Sequence, residues 1–220
     1  ASSIAEIAPA IQDALSATRW MSSESARNRD ELSAMKVKAE EAAAEVAQLR
    51  KALDMASASA RNDLLTGALN RKGLEEALER EVARAARQNS ALSIAFLDID
   101  DFKSINDTHG HSLGDDALSH LAQVARESMR PQDTLARFGG EEFVILMPDT
   151  CLEEGVQTIV RLQRALTQRF FAAGDTRLFI TFSAGVAELG KDESPMEAIQ
   201  RADRGMYQAK RAGKNKVVSA

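Results

Sequence analysis

Four acids in two short stretches are the residues best placed to do chemistry. Asp98 and Asp100 close the apolar run "LSIAFLDID" (92–100), and Glu141 and Glu142 follow Gly139 and Gly140 in "ARFGGEEFVIL" (136–146). Side chains alternate along a strand, so Asp98 and Asp100 share one face. The apolar runs on either side of the glycines read as a hairpin with its turn at Gly139-Gly140. If that hairpin and the 92–100 strand are neighbours in one sheet, Asp98 and Glu141 converge. Carboxylates held close together repel unless a cation lies between them. The natural partner is Mg²⁺, which takes oxygen ligands and bridges to substrate phosphates. Two such ions would serve a phosphoryl or nucleotidyl transfer. Taken alone, the acids also fit solvated charges at strand ends, and the glycines an ordinary turn.

The elements that must position these acids lie in the second of two regions. Residues 63–220 alternate helical and strand patterns, as an α/β or α+β domain does. The patterns predict helices over 71–88, 115–129, 152–171 and 195–213, the last with Pro195 at its start and Gly213 at its end. Acids at the start of the 115–129 helix favour its dipole. Strands are expected at 92–100, 134–138, 142–147 and 178–187, with an edge strand at "KVVS" (216–219).

Residues 1–62 differ: they carry much Ala, Glu, Arg and Ser and one proline, Pro9. From Ile4 to Ala60, apolar or small residues recur in alternating steps of three and four, strongest from Leu32 to Leu53 and weakest at Ser25 and Asn28. A helix from about residue 10 to 60 would be roughly 75 Å long. One apolar stripe on so long a helix calls for a partner. The expectation is a parallel coiled coil joining a homodimer. A helix docked on its own domain, or an antiparallel hairpin broken near Ser22–Ser25, fits the same pattern.

Composition bounds the rest. The 220 residues are 44% apolar and 28% charged, as in soluble globular chains. A formal charge of −5 argues against a general nucleic-acid binder. The single cysteine, Cys151, cannot form an internal disulfide, which fits a reducing compartment. No run of 18 apolar residues suggests a membrane span, so no membrane contact is expected from this segment. No signal-peptide pattern opens the chain, which begins with Ala, as a processed chain or a piece of a longer one would.

Five stretches then occur in order: "DLLTGALNRKGL" (63–74), "LDIDDFKSINDTHGHSLGDDAL" (97–118), "RFGGEEF" (137–143), "FSAGVA" (182–187) and "ADRGMYQAKRAGKNKV" (202–217). Together they resemble the GGDEF-type diguanylate cyclases, with a GGEEF variant of the motif, over residues 63–220. The resemblance implies a palm-like α+β domain, with a mostly antiparallel sheet flanked by helices. It implies condensation of two GTP into cyclic di-GMP with release of two pyrophosphates, in a bacterial cytoplasm, with Mg²⁺ (or Mn²⁺) as cofactor. By the same resemblance Asp98, the Ile99 carbonyl and Glu141 are metal ligands. Glu141 also serves as base, Glu142 as the second loop acid, and Lys103 offsets phosphate charge. Asn106 and Asp115 read guanine, which their donors and acceptors suit. Gly139 and Gly140 lie against GTP, while Lys210 and Lys214 bind its phosphates. Arginine is more usual at 214 and proline at 64.

The resemblance also implies an inhibitory product site at an RxxD motif five residues before the glycines. "RPQD" puts Arg130 and Asp133 there, with Arg161 as a second arginine. A helix-ending ion pair is the plainer reading of Arg130 and Asp133. Because the product is two-fold symmetric, two domains must face each other, which gives the N-terminal seam a purpose through effective concentration. Two rivals remain: a catalytically silent nucleotide receptor, and a coiled-coil adaptor carrying an incidental domain.

Overall fold

The computed structural model describes residues 60–220 except 170, 174 and 175, with only the backbone at 172, 173, 176 and 177, and scattered residues between 12 and 49. It divides the chain into Ala1–Ala56 and Ser57–Ala220. In the first unit every described residue is helical. The seam residues Met21, Met35, Val46 and Leu49 are 49–67% exposed on the single chain. Seam positions Ile4, Ile7, Ile11, Leu32 and Leu53 lie outside the described residues.

The second unit is built on one five-stranded sheet. Its elements are α1 (Arg71–Gln88), β1 (Leu92–Ile99), α2 (Phe102–His109), α3 (His111–Ser128), β2 (Thr134–Arg137), β3 (Glu142–Pro148), α4 (Leu152–Gln168), β4 (Phe171–Ala173), β5 (Thr176–Leu178), β6 (Phe182–Glu188), α5 (Pro195–Arg211) and β7 (Val217–Ser219). The strand order is β2-β3-β1-β6-β7, with β4-β5 a separate pair. All pairings in the main sheet are antiparallel except β6-β7. This is the palm-like α+β arrangement.

Both faces of the sheet are buried, and strand parity sorts them. Ala95, Leu97 and Ile99 of β1 join Phe143, Ile145 and Met147 of β3 in the core under α3 and α4. Ile94 and Phe96 join Val144 and Leu146 in the core under α1 and α5. Asp98 continues the second series, so its carboxylate belongs to the α5 side. Gly185 faces that side too, opposite Phe96. A Cβ at Gly185 would stand 1.9 Å from the Ala202 carbonyl of α5. Glycine lets the helix backbone rest directly on the strand, which brings the C-terminal half of α5 over the end of β1.

Four expectations need correction. The helix expected at 115–129 begins at His111, so Asp115 sits inside the helix rather than in its first turn. A second helix, α2, precedes it; with only Phe102 buried it has almost no apolar period. The helix expected at 152–171 stops at Gln168, and Phe171 enters β4, where it is buried beside His120. The strand expected at 178–187 is broken: Leu178 ends β5 and Phe182 starts β6. The break falls where the Thr181 carbonyl accepts from the Asp100 amide and the Thr181 hydroxyl donates to the Asp100 carboxylate.

Candidate active site

Asp98, Glu141 and Glu142 meet at one end of the sheet because of register. The β1-β3 ladder pairs Asp98 with Glu142, and the Ile99 amide donates to the Glu141 carbonyl at 3.3 Å. Glu142 lies directly across from Asp98; Glu141, whose convergence with Asp98 the sequence suggests, is one step further, in the turn, and still feels the Asp98 charge. In an antiparallel strand a residue's amide and carbonyl point the same way, so the Ile99 carbonyl also faces the hairpin.

The electrostatics of the cluster are those of too many negative charges. Burial pushes the Asp98 carboxyl upward; the Lys210 ammonium opposes this, while Asp100 and Asp203 add to it. Glu141 is raised by burial, then by Asp98 and Glu142, against Lys210. Burial, Asp98 and Asp203 raise Glu142. Asp98 is 6% exposed. Its Oδ1 lies 2.6 Å from Lys210 Nζ.

That buried oxygen fits a hard cation. Mg²⁺ is ordinarily held by one or two carboxylates and keeps its remaining positions for water and phosphate. Asp98, a loop glutamate and the Ile99 carbonyl are donors of that kind. Among the described residues no three acid, histidine or cysteine side chains form a closed ligand set.

The two glycines have different duties. Neither takes a left-handed φ. A Cβ at Gly139 would meet Glu142 Oε2 at 2.5 Å, so Gly139 makes room for that carboxylate. Nothing lies within 4 Å of a Cβ at Gly140, which faces open space. Arg137 fixes the turn by donating from Nε and Nη2 to the Gly140 carbonyl, at 3.1 and 2.7 Å.

The other residues expected at the site fall around this centre. Asn106, on α2, has its buried Oδ1 without a hydrogen-bond partner, and a Cβ at Gly114 would stand 2.0 Å from it. Asp115 follows that glycine on α3 and is exposed, as is Lys103 on α2. Lys214 pairs with Asp101 at 2.5 Å. Away from this end, the Arg130 amide donates to Asp133 Oδ2 at 2.9 Å, while Asp133 Oδ1 is buried and unpartnered. Burial raises the Asp133 carboxyl; Arg130 and then Arg161 oppose it. Asp133 thus feels the charge of both arginines, while Arg161 Nη2 donates to Thr158 Oγ1 at 3.0 Å.

The sequence reading singles out Asp100 without its structural role and gives no role to Asp203 or Asp63. Asp100 is as buried as Asp98 but fully engaged: it accepts from Thr181 Oγ1, Ser183 Oγ and the Asn215 amide at 2.8, 2.7 and 2.9 Å. The polar Thr181 and Ser183 in the run "ITFSAG" were the available signal. Asp203 contributes its charge from α5. Asp63 grips Arg137 from the segment ahead of α1, and no local pattern announces that pair.

Comparison with known proteins agrees with this geometry. A palm-like sheet with acids at the β1 end and the GG-E-E turn defines a nucleotidyl-cyclase type of domain. Residues 60–216 match the family described as "Diguanylate cyclase, GGDEF domain", and the chain belongs to that family. It is 46% identical over 155 residues to diguanylate cyclase DgcP of Pseudomonas aeruginosa, covering 70% of this chain and 23% of that protein. It is 40% identical over 173 residues to response regulator PleD of Caulobacter vibrioides, covering 77% and 38%. The chain thus spans well under half the length of these relatives. The crystal structure of the coiled coil and GGDEF domain of DgcB from Caulobacter crescentus, in complex with c-di-GMP, superposes with a TM-score of 0.79 at 32% identity, covering 84% of this chain and 99% of that one. SiaD from P. aeruginosa, solved with its activator SiaC, gives a TM-score of 0.73 at 32% identity, covering 99% and 83%.

Proposed function

We propose that this chain condenses two GTP into cyclic di-GMP with release of two pyrophosphates. The observation that carries the reading is the β1-β3 register, which brings Asp98 and Glu142 together beside an open Gly140. In the reaction each 3′-oxygen forms a bond to the α-phosphorus of the other nucleotide. The bond from that phosphorus to pyrophosphate breaks, and the 3′-hydroxyl proton leaves. Glu141 is the base for that proton. Asp98, Glu141 and the Ile99 carbonyl would hold Mg²⁺ or Mn²⁺, which polarises phosphoryl oxygens and stabilises the leaving charge. Lys103, Lys210 and Lys214 gather the phosphates. Asn106 and Asp115 read guanine; the unpartnered Asn106 oxygen supports this. Gly140 lets the nucleotide lie against backbone.

One domain offers one such site and the product is two-fold symmetric, so two copies must face each other. The exposed seam residues Met21, Met35, Val46 and Leu49 support a dimer through the N-terminal helix, and DgcB carries a coiled coil beside its GGDEF domain. The Arg130–Asp133–Arg161 cluster supports product inhibition, since arginine forks suit phosphates and guanine edges. No helix of the described residues is long and apolar enough to cross a membrane, and residues 63–220 are read as a cyclase domain working in a bacterial cytoplasm.

Incubation with GTP and Mg²⁺ followed by nucleotide chromatography tests the reading. Cyclic di-GMP and pyrophosphate are expected in a molar ratio of one to two, with Glu141→Gln slower by ~10²- to 10⁴-fold. GTP bound but unchanged would leave the silent-receptor reading standing instead. For the seam, Leu49→Pro should abolish activity at nanomolar protein, and unaltered turnover there would refute the dimer.

A further inference from the structure

Two cations in this site are already present as lysines. Lys210 Nζ lies 2.6 Å from Asp98 Oδ1, and Lys214 Nζ 2.5 Å from Asp101 Oδ1. The pairs differ in setting. Lys214 and Asp101 have side chains 43% and 63% exposed, where an ion pair contributes little. The Asp98 side chain is 9% exposed and Lys210 28%, so their attraction is less screened. Asp98 also stands among Asp100, Asp203, Glu141 and Glu142, and among the described residues Lys210 is the cation that opposes the raised proton affinity of all three site acids. The Lys210 ammonium meets Asp98 as a compact point charge on a flexible stem.

We infer that Lys210 is the resident counter-ion of Asp98, and that a divalent cation entering the site displaces it. The inference rests on Asp98 being a metal ligand. Its consequence is an exchange. Without metal, Lys210 neutralises the buried carboxylate and keeps the acid cluster intact. When the cation arrives, Asp98 changes partner and the ammonium is set free beside the place where a triphosphate would lie. Metal binding must first break an ion pair, so it is weak alone. It strengthens when phosphates collect the released lysine, and by linkage the phosphates gain as much from the metal. Among the described residues Lys214 pairs with exposed Asp101, makes no ion pair with Asp98 and takes no part in this competition.

The test is Mn²⁺ binding to the nucleotide-free protein, read by electron paramagnetic resonance, for wild type, Lys210→Met, Lys214→Met and Asp98→Asn, each checked by a thermal melt. A nearby opposite charge commonly shifts a carboxylate equilibrium by a factor of ~10 or more. Lys210→Met should therefore bind Mn²⁺ about 10-fold more tightly than wild type, while Lys214→Met changes by less than about 2-fold. Asp98→Asn should lose the site. Lys210→Gln serves as the replacement if the methionine variant melts early. Equal affinity in wild type and both Lys210 variants, with Asp98→Asn still defective, overturns the exchange and leaves the metal assignment intact. Tightening of the same size in Lys214→Met also overturns it, since net charge would then suffice. Unchanged binding in Asp98→Asn removes both the exchange and the assignment beneath it.

Discussion

Arg137 and Asp63 stand 74 residues apart in the chain, yet Arg137 Nη1 donates to both oxygens of the Asp63 carboxylate at 3.2 and 3.1 Å. The rest of the guanidinium donates to the Gly140 carbonyl, so one side chain ties the segment ahead of α1 to the glycine turn. Thr66, through its amide and hydroxyl, holds Asp63 from the other side at 2.8 and 2.6 Å. Arg137→Met should lower stability by ~1–3 kcal/mol, as expected for partly buried bonds to a charged group. Asp63→Asn should lower it less while slowing cyclisation about as much. Urea unfolding and initial rates check both; full activity in Arg137→Met would show that the turn holds its own shape.

The glycines should separate under substitution. Gly140→Ala adds a methyl to open space and should move the melting midpoint by no more than ~2–4 °C. It should nevertheless weaken GTP binding, because the proposed function lays the nucleotide in that space. Gly139→Ala drives a methyl into the Glu142 carboxylate, so its loss should appear in turnover more than in affinity. Calorimetric GTP titration beside steady-state rates distinguishes them, and identical profiles would contradict the division of roles.

Asp115→Ala should weaken GTP binding by ~5- to 150-fold, the usual range for a lost bond to a buried polar partner, and leave ATP binding nearly as it was. Competition titrations with both nucleotides measure this. A parallel loss for GTP and ATP would remove Asp115 from base reading.

Arg130→Ala should relieve inhibition by added cyclic di-GMP while the initial rate stays within about 2-fold. Progress curves at rising product concentration show it. Equal inhibition of both proteins would take the Arg130–Asp133–Arg161 cluster out of regulation.

Acid stability should reveal the clamp behind α5. Arg201 donates from Nε to Glu193 Oε1 at 2.7 Å and from Nη2 to Glu193 Oε2 at 2.8 Å. These bonds, with smaller help from the Gly190 amide and Arg204, hold the Glu193 carboxyl down to about 2 from an ordinary 4.5. A carboxyl lowered on folding contributes stability above its unfolded value and loses it as pH falls toward the folded one. Wild type should therefore lose more stability than Glu193→Gln between pH 5 and 2, by denaturant titration at each pH. Parallel curves would count against the clamp.

How far the sequence could be read follows from the range of each signal. The hairpin and β1 were legible because apolar runs end abruptly in acids or glycines, and α1 and α5 because their apolar residues recur at helical spacing. The α2-α3 break was not, since α2 buries only Phe102 and the chain turns at Gly110, with φ 86°. The β5-β6 break hides in a stretch that stays apolar up to Ile180. The convergence of Asp98 and Glu141 was legible, but which glutamate lies directly opposite Asp98 was not, because register is a property of two strands and a one-residue slip exchanges faces. Asp63–Arg137 and Lys210–Asp98 were illegible as pairs, since only the folded sheet brings their halves together.

The sheet's two outer strands carry a consequence for how copies of the domain can meet. Beside β2, the Leu69 amide donates to the Leu135 carbonyl and the Arg137 amide to the Leu69 carbonyl, so the outward backbone groups are taken. On the other side β7 is three residues long, and Arg201 already donates to the carbonyl of Ala220 just after it. A sheet finished this way offers a neighbouring strand almost nothing to zip onto, which guards against open-ended stacking. Two copies meeting as the proposed reaction requires would therefore approach through side chains and turns, a kind of contact that can be made and undone many times without melting either sheet.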